Sequence, residues 1–231
     1  MKYIFLFTFC SLSIIGSLFS QETKIVNLGD FKAITFTGKF VVQMSYQENP
    51  QAEIVLGDVE VELDKIQFNY SGDELNVKYL GSIIGDKEID ILIRVPSIDK
   101  ITVKSGSEVR VLESLKLNNE NLELEVSTGG KIRAHVQTES LSTKITSGGS
   151  IHVTGNTNLF EAKIRTGGTI EAKKLTANKI IAQVNLGGEI NCFANEKLDA
   201  KVSGGGTINY AGDAKVEESV KMGGAIEKIK K

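Results

Sequence analysis

The side chains in this chain with the strongest claim to metal or redox chemistry are His135, His152, Cys10 and Cys192. A zinc site needs three or four N, O or S ligands gathered at short spacings. His135 and His152 lie 17 residues apart, with no cysteine beside either and no H-x-x-x-H spacing. They read as solvated imidazoles, and no metal or cofactor is expected. A serine nucleophile would want a G-x-S-x-G elbow near a base, and the chain has none. The Gly-Gly dipeptides resemble phosphate loops only in composition, because no Lys-Ser/Thr follows them and no helix start is in sight. One constellation could act on a glycan. Glu123, Glu161, Asp199 and Glu217 recur in one register, with Lys144, Lys163 and Lys201 two positions further along theirs. Clustered carboxylates, alone or with lysines, are what polysaccharide lyases and hydrolases use. The simpler reading is a solvated face stapled by cross-strand charge pairs. No catalytic, cofactor-binding or metal-binding residue is therefore assigned.

That register comes from a repeat. Gly pairs begin at 129, 148, 167, 187, 205 and 223, at intervals of 19, 19, 20, 18 and 18 residues. With the first Gly as zero, position −7 reads Leu122, Leu141, Phe160, Ile180, Leu198 and Val216. Position −3 reads Val126, Ile145, Ile164, Val184, Val202 and Val220, and position +3 is Ile in all of them, from Ile132 to Ile226. Positions −4 and +4 are polar throughout. A period of two with one apolar face is a strand. A helix would have to carry Gly-Gly in its interior at about 1 kcal/mol per Gly. Each repeat thus predicts two short strands joined at a Gly-Gly corner, and equivalent strands stack. The fold class expected is all-β, a parallel β-solenoid, right-handed by the chirality of parallel crossovers. An antiparallel sandwich of meanders competes, but it gives no reason for the same residues in every repeat. Ile101–Val111 fits the template around Gly106, and Glu218, Lys228, Lys230 and Lys231 make a polar cap at the last rung.

Lys2 followed by the apolar run Tyr3–Phe19 and small Ser20 reads as a secretory leader cleaved near Ser20 or Gln21. Four Ser and Thr residues interrupt that run, which also falls short of the roughly 20 apolar residues of a membrane span. No transmembrane anchor is expected after cleavage, and Cys10 lacks a lipoprotein context. Cys192 alone then remains, so no internal disulfide forms; its inward position makes it a small buried hydrophobe. Lys plus Arg total 27 against 29 Asp plus Glu, a net charge of −2. Nucleic acid is not expected as a partner.

Residues before the repeat alternate as strands, as in Val41–Tyr46, Glu53–Leu56, Ile66–Tyr70 and Leu75–Tyr79, with Ser71-Gly72-Asp73 as a hairpin turn and Pro96 closing Ile89–Val95. The division expected is a signal peptide at 1–20, an N-terminal β segment at 21–100 continuous with the solenoid, and the repeat solenoid with its polar cap at 101–231. Phe31–Gly38, the strand ending in Val95-Pro96, Gly187–Asn191 and Gly205–Asn209 resemble the auto-transporter adhesin head family with the Gly-Ile-Asn (GIN) domain, over roughly residues 31–212. The resemblance implies an exported bacterial β-solenoid without an assigned activity. The function expected is a secreted or cell-envelope module that binds or scaffolds without catalysis, with a cell-surface glycan or protein as partner, or with copies of itself. The alternatives are a glycan-active enzyme and a self-assembling envelope protein.

Overall fold

The structure is a computed structural model that describes residues 22–56, 62–81 and 88–230. The expected leader at 1–20 lies outside the described residues. The chain enters through β1 (Glu22–Asn27), β2 (Ala33–Thr37), β3 (Phe40–Tyr46), β4 (Gln51–Leu56) and β5 (Ile66–Ser71). It continues through β6 (Glu74–Tyr79), β7 (Ile89–Val95), β8 (Lys100–Lys104) and β9 (Glu108–Val111). The regular part comprises β10 (Asn121–Val126), β11 (Lys131–Ile145), β12 (Ser150–Thr166), β13 (Thr169–Leu186) and β14 (Glu189–Ser203). It ends with β15 (Thr207–Ala211), β16 (Lys215–Lys221) and β17 (Ala225–Lys228).

Every pairing from β8 to β17 is parallel, and most residues of the regular part meet their own equivalent one repeat on, with the register slipping only midway along β12–β13 and β13–β14. Leu122 pairs with Leu141, Leu141 with Phe160, Phe160 with Ile180, Ile180 with Leu198 and Leu198 with Val216. The apolar columns of the sequence are therefore the axial stacks of a β-solenoid, and the meander fails. β10, the second halves of β11–β14 and β16 form one ladder. The first halves of β11–β14, then β15 and β17, form the other. The stacks are buried along most of their length, as at Ile145, Ile170 and Val202. Each such side chain contributes about 1.5–3 kcal/mol by leaving water. Only the last rung departs, with Val220 46% exposed, because nothing stacks on it.

β8 and β9 form the expected degenerate rung around Gly106. Beneath it the chain order is broken. β2 and β3 make a rung that pairs with β8 and β9 on one side and with β6 and β7 on the other. Phe36, Phe40, Val42 and Met44 bury their side chains there and continue the core. The end of the stack is closed by antiparallel strands, β5 on β6, β4 on β7 and β1 on β4. Gly72, at φ +60, turns the β5–β6 hairpin as expected, and β7 stops at Val95 before Pro96.

At the corners the two glycines have different tasks, shown by Gly167 and Gly168. Gly167 has φ +64 and open space where a Cβ would stand. Gly168 has φ +106, and a Cβ there would lie 2.9 Å from the Gly149 carbonyl oxygen of the rung below. The first makes the left-handed turn, and the second lets one rung approach the next.

Candidate functional site

The repeat is interrupted most strongly between β9 and β10. From Gly106 to Gly129 is 23 residues, against 19 for the next interval, an excess of four. The registers place that excess. Arg110 pairs with Arg133, 23 residues on, whereas Leu117 bridges Val136, only 19 on. The extra residues therefore stand out from the ladder between Val111 and Leu117. The Leu112 N–H donates to the Met44 carbonyl at 2.8 Å, and the Gln137 N–H donates to the Leu117 carbonyl at 2.9 Å. Leu115 and Leu117 are buried, and the Asn119 side-chain amide donates to the Ile98 carbonyl at 2.7 Å. The insertion is a wall pinned at both ends.

Three surface depressions border this wall. One of about 550 Å³ lies between the wall and the outer face of the ladder, lined by Arg110, Leu112, Glu113, Arg133, His135 and His152 among others. A second, of about 390 Å³, shares Glu113 and His135 with it and adds Lys116, Asn118 and Gln137. A third, of about 370 Å³, shares Lys116 and Asn118 with the second and ends at Tyr46 and Pro96. The shared lining residues make the three depressions neighbours, a groove that follows the insertion.

Its electrostatics follow from strand register. Gln43, Arg110, Arg133, His152 and Glu171 occupy successive rungs of one outward column. Neighbours in a ladder lie about 4.8 Å apart, so Arg110 and Arg133 stand side by side, an arrangement that destabilises a sheet. Arg133 Nε is 4.0 Å from Glu108, whose carboxylate also takes Lys131 at 3.4 Å. Arg110 has no ion pair or side-chain hydrogen bond among the described residues. His135 Nδ1 lies 2.9 Å from the Thr154 hydroxyl, which fixes the ring at the rim. Glu113 is the acid that lines the two larger depressions.

The two histidines that sequence spacing set apart are thus brought to one depression. Among the described residues no group of three His, Cys, Asp or Glu is placed to hold a metal ion. The carboxylates and lysines of the repeat face are charge-paired, in part across rungs as expected and in part within one strand. Lys163 meets Glu161 at 3.6 Å, and Lys201 meets Asp199 at 3.0 Å. Glu125 accepts from Lys144 at 2.9 Å and lies 3.4 Å from Lys100, which also reaches Glu123 at 3.1 Å. Burial alone would raise the Glu125 pKa, but Lys144 and Lys100 outweigh it and hold the carboxyl below its ordinary 4.5. Cys192 is buried as expected. Desolvation, with Glu171 nearby, pushes its thiol up to about 12 and leaves it inert.

Asn191, on the outward +4 column, is buried rather than solvated. Its side-chain amide donates to Glu189 at 2.9 Å, and its oxygen accepts from Asn209 at 3.1 Å. The groove itself was missed from the sequence, although the 23-residue interval after Gly106 marks it.

Residues 30–214 match the family described as "Putative auto-transporter adhesin, head GIN domain". The fold is similar to the crystal structure of a "putative adhesin" from Bacteroides fragilis, with TM-score 0.79 and 23% identity over 90% of this chain and 97% of that one. It is also similar to a "putative lipid binding protein" from Parabacteroides distasonis, TM-score 0.68 and 20% identity over 91% and 97%. A "putative adhesin" from Parabacteroides merdae gives TM-score 0.60 and 20% identity over 91% and 96%. At these identities the likeness is one of fold. A comparison with curated proteins found no match. Among the described residues no helix is long and apolar enough to cross a membrane.

Proposed function

The chain belongs to the auto-transporter adhesin head family with the GIN domain, and from that premise we propose an exported β-solenoid that binds or scaffolds at the cell envelope without catalysis. Residues 1–20 are its leader, 21–100 its N-terminal β segment and 101–231 its repeat solenoid with a polar cap. The observation that carries the binding role is the pinned insertion between β9 and β10. Leu115 and Leu117 anchor the wall in the core, but its exposed Glu113, Ser114 and Lys116 and the two arginines set side by side add nothing to the ladder, so these features suit contact with something else. Against a hydrolase, the carboxylates of the repeat face are tied to lysines, whereas a general acid needs a raised pKa. The adhesin names of similar solved structures agree with a binding role.

The test is a panel of polysaccharides offered to the mature protein, with binding and new reducing ends measured together. Retention without product is the expected result, and release of product would overturn the non-catalytic reading. Mass analysis of the exported protein checks the leader: the mature chain should begin at or beside Gln21.

A further inference from the structure

We propose that the groove along the insertion is a site for an acidic polysaccharide. Arg110 and Arg133 receive a carboxylate or sulfate group, and Tyr46 offers its ring to a sugar face further along. This rests on the binding role above and names its ligand. Three observations carry it.

First, positive charge accumulates in the groove and is only partly matched by acids. Elsewhere on the solenoid many cations are matched by an acid on the next rung or two residues away, as in Lys144–Glu125, Lys163–Glu161, Lys197–Glu217 and Lys201–Asp199. In the groove, Arg110, Arg133 and Lys116 face Glu113 as the lining acid, with His135 and His152 beside them, and Arg133 alone reaches a further carboxylate, that of Glu108 at 4.0 Å. Arg110 is exposed and unpaired among the described residues. Two adjacent guanidinium groups repel until an anion lies between them. Arginine also presents a planar fork that takes both oxygens of a carboxylate or sulfate, which a lysine cannot.

Second, an aromatic ring lies on the same path. Tyr46 is 57% exposed and borders the depression that shares Lys116 and Asn118 with its neighbour. A ring left in water beside a polar groove is suited to the apolar face of a sugar. Third, the depressions are open rather than enclosed and adjoin one another along the insertion. The three neighbouring depressions are lined in turn by Arg110, His135, Lys116 and Tyr46. A polymer with repeated anionic groups fits them better than a compact ligand. A lipid surface fits less well, because charged and amide side chains dominate the rim.

The experiment uses the mature protein in affinity electrophoresis. The probes are polygalacturonate, dextran sulfate, neutral dextran and vesicles of phosphatidylglycerol. The expected result is retardation by polygalacturonate, dextran sulfate or both, weakened by salt, and none by dextran. Binding of only one acidic polymer identifies carboxylate or sulfate as the group. Arg110→Gln with Arg133→Gln should weaken binding at least about tenfold, and Tyr46→Ala severalfold. Lys163→Gln, on the other ladder, should leave it unchanged. All these side chains are exposed, so the variants should melt close to the parent, which checks that they fold. The inference is overturned if the double arginine variant binds as the parent does, if Lys163→Gln weakens binding equally, or if only the vesicles bind. Binding of dextran untouched by the arginine variants would overturn the inference alone, whereas cleavage of any polymer would overturn the non-catalytic role.

Discussion

Replacing each corner glycine in turn measures how the solenoid is held together. At Gly167, with φ +64 and nothing within 4 Å of an added Cβ, alanine meets only the cost of a left-handed backbone. That is about 1–2 kcal/mol. At Gly168, φ is +106, and the Cβ would lie 2.8 Å from Ile145 Cγ2 and 2.9 Å from the Gly149 oxygen. That oxygen already accepts the Thr169 N–H at 3.0 Å, so the methyl cannot be relieved without opening a ladder bond. Backbone strain of about 1–3 kcal/mol and overpacking of about 1–3 kcal/mol add to roughly 4 kcal/mol. Urea unfolding followed by circular dichroism, compared at constant slope, should rank the variants as parent, Gly167→Ala, then Gly168→Ala. Melting should fall by about 3–6 °C for the first and about 8–16 °C for the second. Gly167→Asn should recover part of the loss, since asparagine tolerates the left-handed region, while Gly168→Asn should recover none. Equal losses at both positions, or a larger loss at Gly167, would refute the division of roles.

Thr128, exposed and β-branched with φ +53, should be improved by Thr128→Gly by about 1 kcal/mol, read as a raised urea midpoint. Glu125→Gln should cost about 0.5–1 kcal/mol at neutral pH, the scale of exposed ion pairs. Because the folded-state pKa of Glu125 is lowered, its contribution is complete above the ordinary value of about 4.5 and fades as pH falls through the folded value. Parent and variant should therefore converge in acid, and a gap that persists there would show that Lys144 and Lys100 are not its cause. Deleting residues 214–231 removes β16 and β17, which pair with β14 and β15. The β signal should survive while the bared edge aggregates. Random coil at low concentration would count against rung-by-rung stability.

Much of the fold was legible because a repeat states its own register. Once Leu122, Leu141 and Phe160 occupy the same position, stacking each on the next is the arrangement that buries them all, and the ladders follow it residue for residue. The same pattern put Cys192 inside and Lys163 outside. Tertiary structure alone decided what no period encodes. β2 and β3 slot between β6–β7 and β8–β9 because Phe36, Phe40, Val42 and Met44 complete the core at that level, a matter of shape between segments that share no motif. Likewise, an excess of four residues after Gly106 says that something protrudes, but not which side chains it faces. Arg110, Arg133, His135, Lys116 and Tyr46 share a groove only because buried Leu115 and Leu117 pull the chain back onto the ladder beside Val136. Local spacing fixes faces and neighbours, and long-range burial fixes which surfaces meet.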